Sequence, residues 1–246
     1  MTANAELPAL KTNPKMIVFT DWDGTVTLQD SNDYITDNLG FGVEQRKAIN
    51  KDILDGTTSF RDGFVKMLKS VSAKKTFPEC VEYLKQHIEL DPGFKSFYEW
   101  ASANNVPVVV VSSGMKPIIE ALLGKLLGTD AVKNIEVISN DVEMHQDGSW
   151  DIIYRDESSF GHDKSRALRP YAQLKERPVL FYCGDGVSDL SAARETDLLF
   201  AKEGRDLVTY CQREKVPYTL FRSFKDIHEK VQAVFSGQQT LDQIKD

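Results

Sequence analysis

Apolar residues gather in short unbroken runs along this chain. Residues 16–20, M-I-V-F-T, stop at a carboxylate. Residues 106–111, V-P-V-V-V-V, stop at Ser112, and residues 179–183, V-L-F-Y-C, stop at Gly184-Asp185. Runs of this length without polar alternation predict strands of a parallel sheet covered on both faces. Weaker runs at 135–139, 198–201 and 217–220 extend the set. Between them the spacing turns helical. Asp91-Pro92 reads as a cap followed by proline at the first helical position, with Phe94, Phe97, Tyr98 and Trp100 behind it. Residues 116–127 carry Ile118, Ile119, Leu122, Leu123 and Leu126 and stop at Gly128. Residues 164–175, 188–196 and 224–235 are further helical segments.

One stretch interrupts the alternation. Residues 29–90 hold no strand-like run, only amphipathic groups such as Phe60, Phe64, Met67 and Leu68. A helical insertion between the first and second strands is the reading. Asp147-Gly148, between short alternating runs over 142–153, predicts a β-hairpin. The division that follows is a loose arm over 1–14, a core over 15–28 and 91–246, and a helical cap over 29–90. The fold class is α/β: a doubly wound, mostly parallel, Rossmann-like sheet with an inserted helical domain.

Composition narrows the function. The 246 residues carry 30 basic and 37 acidic side chains, a net charge of −7. That balance argues against nucleic acid or an anionic membrane as the main partner. Cys80, Cys183 and Cys211 are odd in number and widely spaced, which is cytosolic usage rather than a disulfide framework. Residues 1–15 lack an apolar signal-peptide region, and no segment approaches 18 apolar residues. A cytoplasmic protein is expected.

Ligands of open α/β sheets bind beyond the carboxyl ends of the strands. Those ends carry Asp21 and Asp23, Ser112, and Asp185 with Asp189. Four carboxylates at one edge repel one another unless a cation sits among them, so the set predicts a Mg²⁺ site. In Asp21-Trp22-Asp23-Gly24-Thr25, Gly24 lets the chain turn sharply and brings both carboxylates to one space. One can then attack phosphorus while the other handles a proton. An acidic turn is the plain alternative. In Gly184-Asp185-Gly186-Val187-Ser188-Asp189, Asp185 is placed to hold a metal. Asp189 can bind it, hold its waters, or cap the following helix. Ser112-Ser113-Gly114 supplies a hydroxyl and small-residue amides ahead of a helix, an anion pocket or a simple cap. Lys164 by itself is an ordinary charge.

Taken in order, double aspartate, serine, lysine and aspartate pair resemble the haloacid dehalogenase superfamily of phosphohydrolases, from residue 16 to about residue 226. The resemblance implies Asp21 as nucleophile and Asp23 as general acid/base. It implies Ser112, Ser113 and Lys164 as phosphate ligands. The metal would fall to Asp21, the Asp23 carbonyl, Asp185 and Asp189, the last directly or through water. The insertion resembles the helical cap of the phosphoserine phosphatase branch. S-S-G-M and G-D-G-V-S-D look closest to methylthiopentenyl-phosphate phosphatases and fungal polyol-phosphate phosphatases. A Mg²⁺-dependent phosphatase acting through an aspartyl phosphate on a small phosphorylated metabolite is the expectation. A phosphoserine phosphatase, a phosphomutase and a catalytically silent binding scaffold are the alternatives.

Specificity would fall to the cap. Asp30 aligns near the glutamate that phosphoserine phosphatases aim at the substrate amine. Met67 stands where their carboxylate-binding arginine is expected, with Arg61 and Lys66 nearby. A neutral sugar or polyol phosphate fits that departure better than an amino acid. Closure of the cap would exclude water and favour small esters.

Overall fold

The computed structural model describes residues 7–245. The strands are β1 (Met16–Thr20), β2 (Val108–Met115), β3 (Glu136–Met144), β4 (Trp150–Ile153), β5 (Val179–Gly184), β6 (Leu198–Lys202) and β7 (Thr219–Phe221). They form one sheet in the order β4-β3-β2-β1-β5-β6-β7. Every pairing is parallel except β3 with β4. Leaving out β4, this is the doubly wound order in which the chain steps outward from β1, then returns to its other side. The ends of β1, β2 and β5 are therefore neighbours.

Alternation along the strands divides two cores. Val18, Val108, Val110, Phe181, Cys183 and Phe200 face one side, and Ile17, Phe19, Val109, Val111, Leu180, Tyr182 and Leu199 face the other. Both faces are covered, which is why these strands show no polar alternation in sequence.

Between β1 and β2 run α1 (Ser31–Leu39), α2 (Val43–Leu54), α3 (Phe60–Ser72) and α4 (Phe77–His87), with no strand among them. Then come α5 (Phe94–Ala103), α6 (Lys116–Leu127), α7 (Thr129–Asn134), α8 (Ser165–Ala172), α9 (Leu190–Ala193), α10 (Asp206–Glu214), α11 (Phe224–Phe235) and α12 (Leu241–Ile244). On the first face, α11 buries Phe224, Ile227 and Val231, each contributing roughly 1.5–3 kcal/mol. Phe224 meets Phe94 of α5 edge-on, with ring centroids 4.8 Å apart.

Several boundaries depart from the sequence reading. Asp91 does not open α5 as its cap; Gly93 holds that position. The buried Asp91 carboxylate instead accepts from the amides of Gly93 and Phe224, both at 2.9 Å, tying the starts of α5 and α11 together. The second strand starts at Val108 and continues through Met115 instead of ending at Ser112. β3 joins a parallel edge to an antiparallel hairpin in one strand, and Gly148 sits in its turn at φ 86°. The 188–196 segment opens as a 3-10 turn, Val187–Asp189, before α9. The arm is not loose over its described part. Pro8–Leu10 forms a 3-10 turn, Ala9 is buried, and the Ala9 amide reaches the Tyr171 hydroxyl at 3.4 Å. Its first six residues lie outside the described ones. Among the described residues, no helix is long and apolar enough to cross a membrane.

The hairpin and the loop after it pack on the insertion. Trp150 is buried, its indole N–H donating to the Lys75 carbonyl at 3.0 Å, and it meets Phe77 edge-on.

Candidate active site

β1 delivers Asp21 to the sheet edge, where its amide donates to the Cys183 carbonyl at 2.8 Å. The chain then wraps around one acceptor. The Trp22 carbonyl takes the amides of Thr25, Val26 and Thr27 at 3.3, 2.9 and 3.0 Å. Trp22 itself is buried beneath this loop. Gly24 makes the wrap possible. Its φ is 73°, and a Cβ there would stand 2.3 Å from Asp185 Oδ2. The β1 and β5 loops therefore touch through a position that tolerates no side chain. Lys202, buried at the end of β6, donates to the Gly24 carbonyl at 2.7 Å and holds the loop from the far side.

Asp21 Oδ1 accepts from the Trp22 amide at 2.7 Å and lies 3.0 Å from Lys164 Nζ, while Oδ2 takes no hydrogen bond among the described residues. Asp23 is held differently. Its Oδ1 accepts from the Ser31 amide at 2.7 Å and its Oδ2 from Asn32 Nδ2 at 2.9 Å. The start of α1 thus grips the second aspartate of the pair. Asp30 caps that helix, one oxygen accepting from the amides of Asn32 and Asp33 at 2.8 and 2.9 Å.

The end of β2 carries a bulge. Four steps from Val111 to Met115 face only two from Ile138 to Asn140 in β3. The extra chain is Ser112-Ser113-Gly114, turned toward the aspartates: a Cβ on Gly114 would stand 2.9 Å from Asp23 Oδ2. Ser112 Oγ accepts from the Gly114 amide at 3.0 Å, and the Ser113 hydroxyl is buried without a partner among the described residues. His162 fixes this segment from behind, its Nδ1 lying 2.8 Å from the Ser112 carbonyl. Burial holds the His162 pKa down to about 4, so the ring is neutral near pH 7.

Lys164 is fully buried and does not line the cavity. Its ammonium bridges Asp21 Oδ1 at 3.0 Å and Asp189 Oδ1 at 2.6 Å. Burial alone would lower its pKa, but Asp189 and Asp21 raise it further still, and the charge persists. Asp189 has no free oxygen: Oδ1 also takes the Tyr182 hydroxyl at 2.5 Å, and Oδ2 takes the amides of Asp185 and Gly186 at 3.0 and 2.9 Å. Of the three roles its sequence position allows, the capping of its own loop is the one these contacts display.

One ammonium cannot balance the carboxylates around it. Burial, then Asp189, pushes the Asp21 pKa up to about 7 against the pull of Lys164. Burial, then Asp30, holds Asp23 well above the usual carboxylate range. Burial, then Asp21 and Asp189, does the same to Asp185. One oxygen each of Asp21, Asp185 and Asp189 lies within 4.8 Å of the others. A hard oxygen donor set with surplus negative charge is what a divalent cation such as Mg²⁺ requires, and these residues fit it.

Above them opens a cavity of about 330 Å³. Asp21, Asp23, Ser112, Ser113 and Asp185 line its floor, and the insertion supplies the opposite wall. That wall has a polar part, Asp30, Asn32, Asp33 and Asn50, and an apolar part that includes Phe64 and Met67. Of the specificity candidates, Asp30 and Met67 border the cavity, but Arg61 and Lys66 do not. Arg61 stacks 4.4 Å from the Tyr154 ring and donates to the Asp156 carbonyl at 2.9 Å, while Lys66 is exposed. Arg61 is spent on holding the insertion against the loop after the hairpin.

Sequence reasoning passed over Lys202, Tyr182, Asn32, Asp33 and Arg205. Arg205, at the start of α10, is the only basic side chain among the lining residues. Tyr182 and Lys202 lie in apolar strands and carry no local signal, and Asn32 and Asp33 gain their place from contacts of α1 with Asp23 and with α2.

The family model for haloacid dehalogenase-like hydrolases matches residues 18–194. Polyol phosphate phosphatase PYP1 of Saccharomyces cerevisiae is 54% identical over 235 residues, covering 92% of this chain and 97% of that one. Pdp3-interacting factor 1 of Schizosaccharomyces pombe is 53% identical over 223 residues, covering 90% and 96%. A solved phosphoserine phosphatase, in a form described as a phospho-aspartyl intermediate analogue, matches with a TM-score of 0.65 at 21% identity, covering 88% of this chain and 98% of that one. With the aspartates, the bulged serine loop and the buried lysine gathered at one sheet edge, the chain belongs to the haloacid dehalogenase-like hydrolases and is a phosphatase of that family.

Proposed function

We propose that this enzyme hydrolyses small polyol phosphates in the cytoplasm through a covalent phosphate on Asp21. The observation that carries the mechanism is the asymmetry of Asp21. One oxygen is anchored by the Trp22 amide and Lys164, and the other is left without a partner on the cavity floor. That is the arrangement a positioned nucleophile needs. Asp21 attacks phosphorus, a bond forms from its oxygen, and the ester P–O bond breaks. The proton held by Asp23 passes to the departing alkoxide. Asp23, now a carboxylate, takes a proton from water as that water attacks the aspartyl phosphate, releasing inorganic phosphate and restoring Asp21. The Ser31 amide and the Asn32 side chain keep Asp23 in place for both transfers. Ser112, Ser113 and the amides of the bulge are the candidate donors to the phosphate oxygens. Lys164 offsets charge from beneath.

Asp21, the Asp23 carbonyl and Asp185 would hold Mg²⁺, and Asp189, whose oxygens are already engaged, would act through water. Bound there, the cation neutralises phosphate charge and lowers the cost of gathering these carboxylates.

The substrate class rests on the wall of the cavity and on the activity for which the fungal relative is named. The insertion wall, with Met67 and the aspartates, offers no cation to a second carboxylate, which counts against phosphoserine; Arg205 lines the cavity from the core side. Three buried free cysteines support a reducing compartment. Phosphate release should be measured over a panel of polyol, sugar and amino-acid phosphates, with Mg²⁺ and with EDTA. Mg²⁺-dependent release led by a polyol phosphate is expected. Release led by phosphoserine, or release untouched by EDTA, would reject the reading.

A further inference from the structure

The polar part of the insertion wall is organised around acceptors. Asp37 grips Arg46 through two contacts, Nε to Oδ1 at 2.7 Å and Nη2 to Oδ2 at 2.9 Å. Arg46 extends its remaining nitrogen, Nη1, to Asp33 Oδ2 at 2.6 Å. This fixes a carboxylate that lines the cavity and leaves its Oδ1 without a hydrogen bond among the described residues. A planar guanidinium clamped on one carboxylate is a rigid support for another. Beside it, Asn32 is only 4% exposed, and its Oδ1 has no partner although its amide nitrogen is committed to Asp23. That oxygen is sealed from solvent, so Asn32 serves the Asp23 carboxylate and offers nothing to a hydroxyl in the cavity.

We propose that the free oxygen of Asp33 hydrogen-bonds the hydroxyls of a neutral polyol chain, with Arg46 and Asp37 as positioning residues for Asp33. The inference rests on the polyol phosphate reading and adds to it the residues that recognise the alcohol. A carboxyl held at one oxygen, with the other unpartnered among the described residues, selects a ligand rich in O–H. Arg46 is paired with Asp33 and Arg205 lines the same cavity, so an ammonium group there would meet two cations. Phe64 and Met67 complete it with surface for the C–H faces of the chain.

The test compares glycerol phosphate with propyl phosphate, which has an alkoxide leaving group of the same length and no hydroxyls, and with phosphoethanolamine. Full-length wild type, Asp33→Ala and Asp37→Asn are assayed for kcat and KM. Wild type should favour glycerol phosphate. Asp33→Ala should lower the glycerol-to-propyl ratio of kcat/KM about tenfold to a hundredfold, mostly through KM. Asp37→Asn, an isosteric change far from the phosphate, should lower it about threefold or more in the same way. It gives the answer even if Asp33→Ala fails to fold. A wild type that prefers glycerol phosphate, with a ratio unmoved by Asp37→Asn and by any folded Asp33→Ala, overturns this inference and leaves polyol phosphate hydrolysis standing. A wild type indifferent to the hydroxyls, or led by phosphoethanolamine, overturns the substrate reading and this inference with it.

Discussion

In the proposed mechanism Asp23 must hold a proton near neutral pH and then give it up within one turnover. Burial and the neighbouring Asp30 lift its pKa, while the Ser31 amide pulls it back toward the ionised form. An ordinary aspartate, with a pKa near 3.9, would arrive at the reaction already ionised. The sign follows: kcat/KM for an alkyl phosphate should fall as pH rises through the raised pKa, because the proton needed by the alkoxide is lost. p-Nitrophenyl phosphate, whose leaving group departs as a stable anion, should lack that limb. Asp23→Asn should lower kcat/KM for a polyol phosphate about 10²- to 10⁴-fold and cost far less on the nitrophenyl ester. Equal losses on both esters would remove the general-acid role. Asp21, Asp23 and Asp185 were legible because each follows an apolar strand directly. Asp33 and Arg46 were not, since their value lies in contacts between α1 and α2 that no local spacing displays. Asp30 was found by counting from the D-x-D pair and Met67 by aligning residues 60–68 with the phosphoserine phosphatase cap, but that alignment also brought in Arg61 and Lys66, which helix rotation turns away from the cavity.

Among the elements, β2 departs furthest from its sequence reading. Its apolar run predicts a strand ending at Ser112, yet the chain keeps strand geometry through Met115 by bulging, and the bulge is what presents the serine loop. Bulges depend on the partner strand's register, which a single strand's pattern does not encode. The hairpin turn was readable from Asp147-Gly148, but not that β3 carries both a parallel and an antiparallel partner. α10 escaped because only Leu207 and Cys211 of its residues are buried. The hairpin also anchors the insertion through Trp150, which fills space between Phe77 and the Lys75 carbonyl. Trp150→Ala should cost roughly 3–5 kcal/mol, read as a lower denaturant midpoint. A loss under about 1 kcal/mol, the scale of a surface change, would mean that the hairpin is not an anchor.

At the scale of the whole molecule, a central strand order of β2-β1-β5 brings three loops from distant parts of the chain to one edge. The insertion, held by the hairpin and by Arg61, closes the space above them. Asp21 and Asp189 meet Lys164 beneath the floor, and Asp30 and Asp33 stand on the wall beyond. The proposed mechanism turns on one event, transfer of phosphate to Asp21. The most direct measurement is to quench the enzyme during steady turnover of a polyol phosphate with Mg²⁺ and reduce it with borohydride. Reduction converts an aspartyl phosphate to homoserine, and peptide mass spectrometry locates the change. The account predicts homoserine at position 21 alone, dependent on substrate. Continued phosphate release with Asp21 unmodified, or homoserine at another aspartate, would contradict it.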